Sequence, residues 1–461
     1  MVFSSAIFLF IFLPATLSAY YLINPRYKNT LLLLASLFFY SWGEPVNVLL
    51  MLASIITNYV CALLINKFRG KNLLQNTVFV LAIVFNLGLL FYFKYIDFAI
   101  SNFNFVFHAV LAQKNIPLPI GISFFTFQIL SYVIDVKRDK VPVQNNPLDL
   151  GLYISFFPQL IAGPIVRYID VNEQIQNRSV DIEKFNRGCV RFMTGFSKKI
   201  LIADQLAPYV NTIFSKHGIS APCAWFGIIA YALQIYFDFS GYSDMAIGLG
   251  KMFGFDFLEN FNYPYIAKSV REFWKRWHIS LSQWFRDYVY IPLGGNRAGK
   301  IRTLVNLFVV WALTGFWHGA SWNFVFWGLY YFVFLVLERS KWGRIVEKLP
   351  VWLQHLYAII VFLFGWIFFR ETSLTNSLIY IQNLFKVEPN MWIDFIWNID
   401  RKFIFCVVAV ILFSTPIIPV LSKKFGSKSD IAYKISILAL FIVAISFLLG
   451  TGFSPFLYFR F

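Results

Sequence analysis

Apolar residues in this chain run in long blocks separated by short polar stretches. Blocks at 2–23, 31–42, 46–65, 77–93 and 118–136 succeed one another through the N-terminal part. Others cover 222–250, 303–319, 321–338, 351–369, 402–420 and 435–450. A hydrocarbon core about 30 Å thick takes roughly 20 apolar residues as a helix, so the pattern predicts about ten or eleven transmembrane helices. In lipid only helices and closed barrels satisfy the backbone. These blocks are continuous rather than alternating, which excludes a barrel. The predicted class is an all-α polytopic membrane protein.

Cations mark one side of the bilayer. Arg26 and Lys28 follow the first block, Lys67, Arg69 and Lys71 the third, and Lys137, Arg138 and Lys140 the fifth. The second block leaves at Gly43-Glu44-Pro45 without a cation. Alternation of this kind follows the positive-inside bias and places the N-terminus outside. The first block lacks a basic leader and a small-residue cleavage site, so it reads as a retained span.

Three segments depart from the plain pattern. Residues 150–168 (LGLYISFFPQLIAGPIVRY) are interrupted by Pro158 and Gly163-Pro164, and read either as a broken helix lining a cavity or as a kinked packing helix. Residues 181–216 are more polar, and Lys198 and Lys199 predict a helix near the cytoplasmic interface. The block at 222–250 holds Asp238 and Asp244. Carboxylates in a span are costly unless paired. Their spacing does not suit one helix face, so separate structural partners are expected rather than a catalytic pair. Near the C-terminus, 371–401 reads as interfacial, with Trp392 and Trp397 as belt residues. No low-complexity linker or internal repeat divides residues 1–461, which read as a single integral-membrane domain.

Composition sharpens the class. Of 461 residues, 58% are hydrophobic and 14% charged, against roughly 25% charged in a soluble domain. The net charge of +17 belongs to loops and headgroup contacts; no basic soluble domain exists to bind nucleic acid. Cys61, Cys189, Cys223 and Cys406 lie far apart. They have no metal-ligand spacing, so neither disulfides nor a metal site are expected.

The chemistry concentrates in residues 266–323. From 266 to 290, Val270, Phe273, Trp274, Trp277, Leu281, Trp284, Phe285 and Tyr288 recur at three- and four-residue spacing. That predicts one amphipathic helix lying in the interface. Its polar face would carry Lys268, Arg271, Lys275, His278, Ser282 and Arg286. The face reads either as a headgroup contact or as the seat of an anionic donor such as a phosphopantetheine thioester, with Arg271, Lys275 and Ser282 beside His278. A turn at Gly294-Gly295-Asn296-Arg297 leads back into the membrane and on to Thr314-Gly315-Phe316-Trp317-His318-Gly319. An intramembrane histidine is either a hydrogen-bonded packing residue or a site. The flanking Gly315 and Gly319 favour a site, because they let a backbone or a substrate approach. A neutral imidazole is suited to take a proton from a hydroxyl. No Ser-His-Asp order, GxSxG elbow or P-loop is present.

The stretch ENFNYPYIAKSVREFWKRWHISLSQWFRDYVYIPLGGNRAGKIRTLVNLFVVWALTGFWHGASWNFVFWG (259–328) resembles the membrane-bound O-acyltransferase (MBOAT) family. Within that family it is most similar to the membrane subunits of bacterial alginate O-acetylation. The opening VFSSAIFLFIFLP, PQLIAGPIVRY, FDFSGYSDMAIGLGKMFGF and the closing SPFLYFRF extend the resemblance nearly end to end. It implies a ring of tilted helices around a tunnel open to both sides of a bacterial cytoplasmic membrane. It matches His318 to the family's near-invariant histidine and His278 to a second one facing the cytoplasm. It also implies an O-acyltransferase without a permanently bound cofactor. The acyl group, expected to be acetyl, would come from acetyl-CoA or an acyl carrier protein thioester. An extracytoplasmic partner protein would place it on a polysaccharide such as alginate or peptidoglycan. D-alanyl transfer to teichoic acid and a polysaccharide-linked transporter are the alternative readings.

Overall fold

The computed structural model describes residues 1–216, 218–297, 299–387, 413–416, 427–451 and 456–457, apart from the side chains of 427–429 and 451. Trp392, Trp397, Cys406 and most of the 402–420 block lie outside the described residues. So does the closing motif apart from Phe456 and Leu457. Every regular element among the described residues is helical. Five helices are long and apolar enough to cross a membrane: Asn47–Lys67, Asn72–Phe107, Ala221–Met252, Val351–Arg370 and Asp430–Gly450. Phe8–Leu22 and Trp322–Glu338 are shorter apolar helices. One span exceeds its predicted block: Asn72–Phe107 has 36 residues, about 54 Å at 1.5 Å per residue. That is well beyond a hydrocarbon core of about 30 Å.

The chain divides into two compact units, Met1–Phe192 with Met245–Leu258, and Met193–Asp244 with Glu259–Phe461. In the first, Asn58 and Asn86 exchange side-chain hydrogen bonds of 3.1 and 2.6 Å between two spanning helices. Such reciprocal amides hold helices together where apolar packing has no solvent to escape from. The interrupted segment breaks after Ser155, where Phe156 leaves helical geometry at ψ 112°. The break is packed, not open: Phe156 and Phe157 meet Phe253 at 6.3 and 5.8 Å between ring centres. The Tyr153 hydroxyl lies 3.2 and 3.1 Å from the carbonyl oxygens of Gln128 and Val166.

In the second unit, Lys300–His318 and Trp322–Glu338 form a tight helical pair. A Cβ on Gly315 would fall 2.2 Å from the Phe324 carbonyl oxygen, and one on Gly328 would fall 2.2 Å from that of Trp311. A Cβ on Gly319 would meet the Phe324 ring at 2.2 Å. Of the two approaches expected beside His318, a backbone or a substrate, the structure shows the backbone at Gly315, while the Phe324 ring takes the space at Gly319. The glycines serve helix approach.

The paired carboxylates find separate partners, as expected. Lys199 Nζ lies 2.7 Å from Asp204 and 2.5 Å from Asp238, and Lys198 Nζ lies 2.7 Å from Asp244. Lys199 is 1% exposed. Two carboxylates draw its ammonium into the interior, where an unpaired charge would be prohibitive.

Candidate active site

The predicted continuous helix over 266–290 is broken. The structure has two short helices, Val270–Arg276 and Ile279–Phe285, followed by a π turn at Arg286–Tyr290. His278 stands at the junction with φ 45° and ψ 53°, a left-handed conformation uncommon outside glycine. Interactions from outside the segment hold the break open. Asn262 N–H donates to the Arg276 carbonyl at 2.9 Å, and Ile279 N–H donates to the Asn260 carbonyl at 3.0 Å. The first helix is pinned at its start. Ser269 accepts from Glu272 N–H at 3.1 Å, and the Glu338 carboxylate accepts from Val270 and Arg271 N–H at 2.6 and 2.9 Å. Side-chain capping of this kind satisfies the orphan donors of a helix start. The periodicity over 266–290 was shared by both pieces, which is why spacing alone joined them.

His278 is therefore not one polar residue among others on a solvated face. It is 1% exposed. Phe239 meets its ring edge-on at 4.7 Å between centres, and the Trp317 ring lies 6.0 Å away. Its Nδ1 is 3.1 Å from Asn260 Oδ1. Burial pushes the imidazole below its ordinary value, which favours the neutral ring.

A cavity of about 230 Å³ reaches this ring. Arg271, Lys275, Ser282 and His278 all line it, together with Arg286 and Arg339. The structure thus brings together every proposed donor-side residue, with four cationic side chains around one opening. Carboxylates nearby are already engaged: Glu272 holds Arg276 at 2.8 Å, and Glu338 holds the helix start. The lining is suited to an elongated donor with an anionic end.

His318 ends the Lys300–His318 helix and is 3% exposed. It lies outside that lining, between Trp327 and Phe369 at 4.9 and 5.2 Å between ring centres. Its ring is 6.5 Å from that of His278. The two histidines, expected at different depths, share one aromatic compartment. Asn260, Ser280 and Phe239 also belong to this compartment and carried no signal in the sequence. Asn260 sits in an irregular segment, and no periodicity relates it to position 278.

A family model described as MBOAT, membrane-bound O-acyltransferase family, matches residues 123–381. The chain belongs to this family. Over 379 residues, 81% of this chain and 73% of the relative, it is 44% identical to the "Probable alginate O-acetylase AlgI" of Pseudomonas aeruginosa. It is 36% identical over 82% of its length to the "Peptidoglycan O-acetyltransferase" of Helicobacter pylori, covering 78% of that protein. The match to the "Teichoic acid D-alanyltransferase" of Bacillus subtilis is 30% over 53% of this chain and 66% of the relative. Membership makes the chain a membrane-embedded acyltransferase. For acyl transfer the compartment offers a buried imidazole, a cationic mouth and an aromatic lining. Exclusion of water both strengthens electrostatic contacts and protects a thioester from hydrolysis.

Proposed function

We propose that this chain takes an acyl group, acetyl, from a cytoplasmic thioester and passes it across the membrane for O-acetylation of an extracytoplasmic polysaccharide. A separate extracytoplasmic protein receives the group and completes the esterification. The acceptor polymer is alginate-like exopolysaccharide or peptidoglycan, the classes named for relatives that align over four-fifths of this chain. The teichoic acid relative aligns over about half of it, which makes D-alanyl transfer the weaker reading. The protein sits in the bacterial cytoplasmic membrane with its N-terminus outside, which turns the cationic loops and the donor cavity toward the cytoplasm.

One observation carries this reading: a buried His278 at the end of a cavity lined by Arg271, Lys275 and Ser282, with His318 beside it. In the transfer, an acceptor hydroxyl oxygen forms the new bond to the thioester carbonyl carbon and the C–S bond breaks. The hydroxyl proton passes to imidazole and then to the departing thiolate, so the base is restored. The acyl donor is acetyl-CoA or an acetylated carrier protein, and the cationic lining holds its phosphate in either case. A tunnel enclosed by tilted helices is the path this reading requires.

Proteoliposomes containing this chain and an extracytoplasmic acetyl-acceptor protein, supplied with radiolabelled acetyl-CoA on the cytoplasmic face, test the proposal. Label should reach the partner or added polysaccharide, and His318→Ala should stop it while the protein remains folded. Label movement that is unaffected by His318→Ala would instead support transport without acyl chemistry.

A further inference from the structure

Asn260 connects the two short helices to the long Ala221–Met252 helix at the point where His278 is held. It is 0% exposed. Its Oδ1 lies 3.3 Å from Ser280 N, 2.9 Å from Ser280 Oγ and 3.1 Å from His278 Nδ1. Its Nδ2 lies 3.2 Å from Ser243 Oγ. The Ser280 backbone N–H can only donate, so the Asn260 atom facing it must be the oxygen. That oxygen can only accept, so the histidine nitrogen beside it must carry hydrogen. Rotating the amide would set its NH2 against the Ser280 N–H, donor against donor. A neutral imidazole has one donor and one acceptor nitrogen, so protonation at Nδ1 leaves the lone pair on Nε2.

We propose that Asn260 is a positioning residue that fixes His278 as the Nδ1–H tautomer and thereby makes Nε2 the atom that accepts the proton in acyl transfer. The assignment of the proton-accepting role rests on the function proposed above; the tautomer itself does not. One backbone amide decides the orientation, and it belongs to the residue two positions after the histidine. The same Asn260 also accepts, through its main-chain carbonyl, the Ile279 N–H that holds the left-handed break at His278. Ring orientation and ring protonation are thus set by a single side chain and its own backbone.

The experiment uses the full chain, ¹⁵N-labelled at histidine, in nanodiscs. The His278 resonances are assigned by their disappearance in His278→Gln. The wild type should show a protonated Nδ1 and an unprotonated Nε2. Asn260→Leu should lose that signature and lower kcat on the order of a hundredfold with donor KM unchanged, as expected for a misplaced base. Asn260→Asp keeps an oxygen acceptor at the same place, so it should retain the Nδ1–H form. It also serves as the folded control if Asn260→Leu is unstable. A wild-type Nε2–H signature would overturn the proposal, and so would an Asn260→Leu protein with unchanged kcat. If the wild type transfers no acetyl group, the functional reading fails while the spectrum still reports the tautomer.

Discussion

The imidazoles of His278 and His318 lie 6.5 Å apart between ring centres and are inclined at 60°, although one precedes a short helix and the other ends a long one. Trp317 adjoins both, at 6.0 Å from His278 and 5.0 Å from His318. Under the proposed function, two histidines enclosed in one aromatic compartment are expected to act as a unit rather than as a surface residue and a deep one. Each of His278→Ala and His318→Ala should lower acetyl transfer by about 10²- to 10⁴-fold, the range for loss of a positioned acid or base. Groups that work together are strongly non-additive, so the double variant should be no slower than the slower single one. Multiplied effects in the double variant would show two independent roles.

Donor binding is expected to separate from chemistry. Arg271 and Lys275 line the cavity without approaching His318, so their loss should weaken donor and transition state alike. Lys275→Ala should raise donor KM about tenfold, consistent with a charged hydrogen bond of about 1.5–3 kcal/mol, and leave kcat near the wild-type value. Steady-state kinetics at two salt concentrations provide the check. A Lys275→Ala effect confined to kcat would remove this residue from the donor site.

Much of the membrane architecture is legible in the sequence because lipid imposes one rule on every span. The blocks at 46–65, 222–250 and 351–369 coincide with Asn47–Lys67, Ala221–Met252 and Val351–Arg370 within two residues. The site was legible only in part. Arg271, Lys275, Ser282 and His278 could be named from one stretch, since three- and four-residue spacing brings them to one side. The break at His278 could not, because the bonds that hold it come from Asn260 and Asn262, outside the periodic segment. For the same reason the glycines beside His318 suggested open access. Which atom fills the space over a glycine depends on its neighbour in the fold, here Phe324.

Helix approach gives a stability test with an internal control. Gly315→Ala places a methyl group 2.2 Å from the Phe324 carbonyl oxygen, a backbone atom that cannot move aside alone. Overpacking of this kind costs about 1–3 kcal/mol, so thermal unfolding followed by tryptophan fluorescence should shift downward. Gly88 lies in a spanning helix with nothing within 4 Å of a Cβ. Gly88→Ala should leave the transition unchanged or raise it, since alanine gains up to about 1 kcal/mol in a helix interior. Equal shifts for both substitutions would point to propensity rather than packing.

A pH-dependent contribution to stability is expected at Asp256, in a segment outside the spans. Burial alone would push its carboxyl up, but hydrogen bonds and charge from Lys184 at 2.6 Å and Lys251 at 2.8 Å outweigh that and hold it below the ordinary value. A carboxylate depressed in the folded state stabilises above its unfolded pKa, and the contribution fades as pH falls through the folded one. The wild type should therefore be more stable than Asp256→Asn at pH 7, with the gap closing below the usual carboxylate range near 3.8. The carboxylate is about half exposed, so the gap should be small. A gap that widens on acidification would contradict the pairing.

The buried charge cluster should be the most fragile part of the second unit. Lys199 joins Asp204 and Asp238, and Asp238 Oδ2 also accepts from Leu457 N–H at 2.8 Å. Phe456 packs under the same ammonium, with Nζ 4.6 Å from its ring centre, and meets Tyr242 at 4.6 Å. The Ala221–Met252 helix thus offers Asp238 and Tyr242 to the chain end, and Phe239 and Ser243 to the His278 compartment. Lys199→Met leaves two carboxylates without their cation and should destabilise by about 3–5 kcal/mol, the cost of breaking a buried pair. Adding Asp238→Asn to Lys199→Met removes one stranded charge and should recover part of that loss, although Leu457 keeps an acceptor. Asp238→Ala removes the acceptor as well, so combined with Lys199→Met it should recover less stability than Asp238→Asn does. If the Asp238→Asn double variant were no more stable than Lys199→Met, the cluster would be held by packing of Phe456 and not by charge.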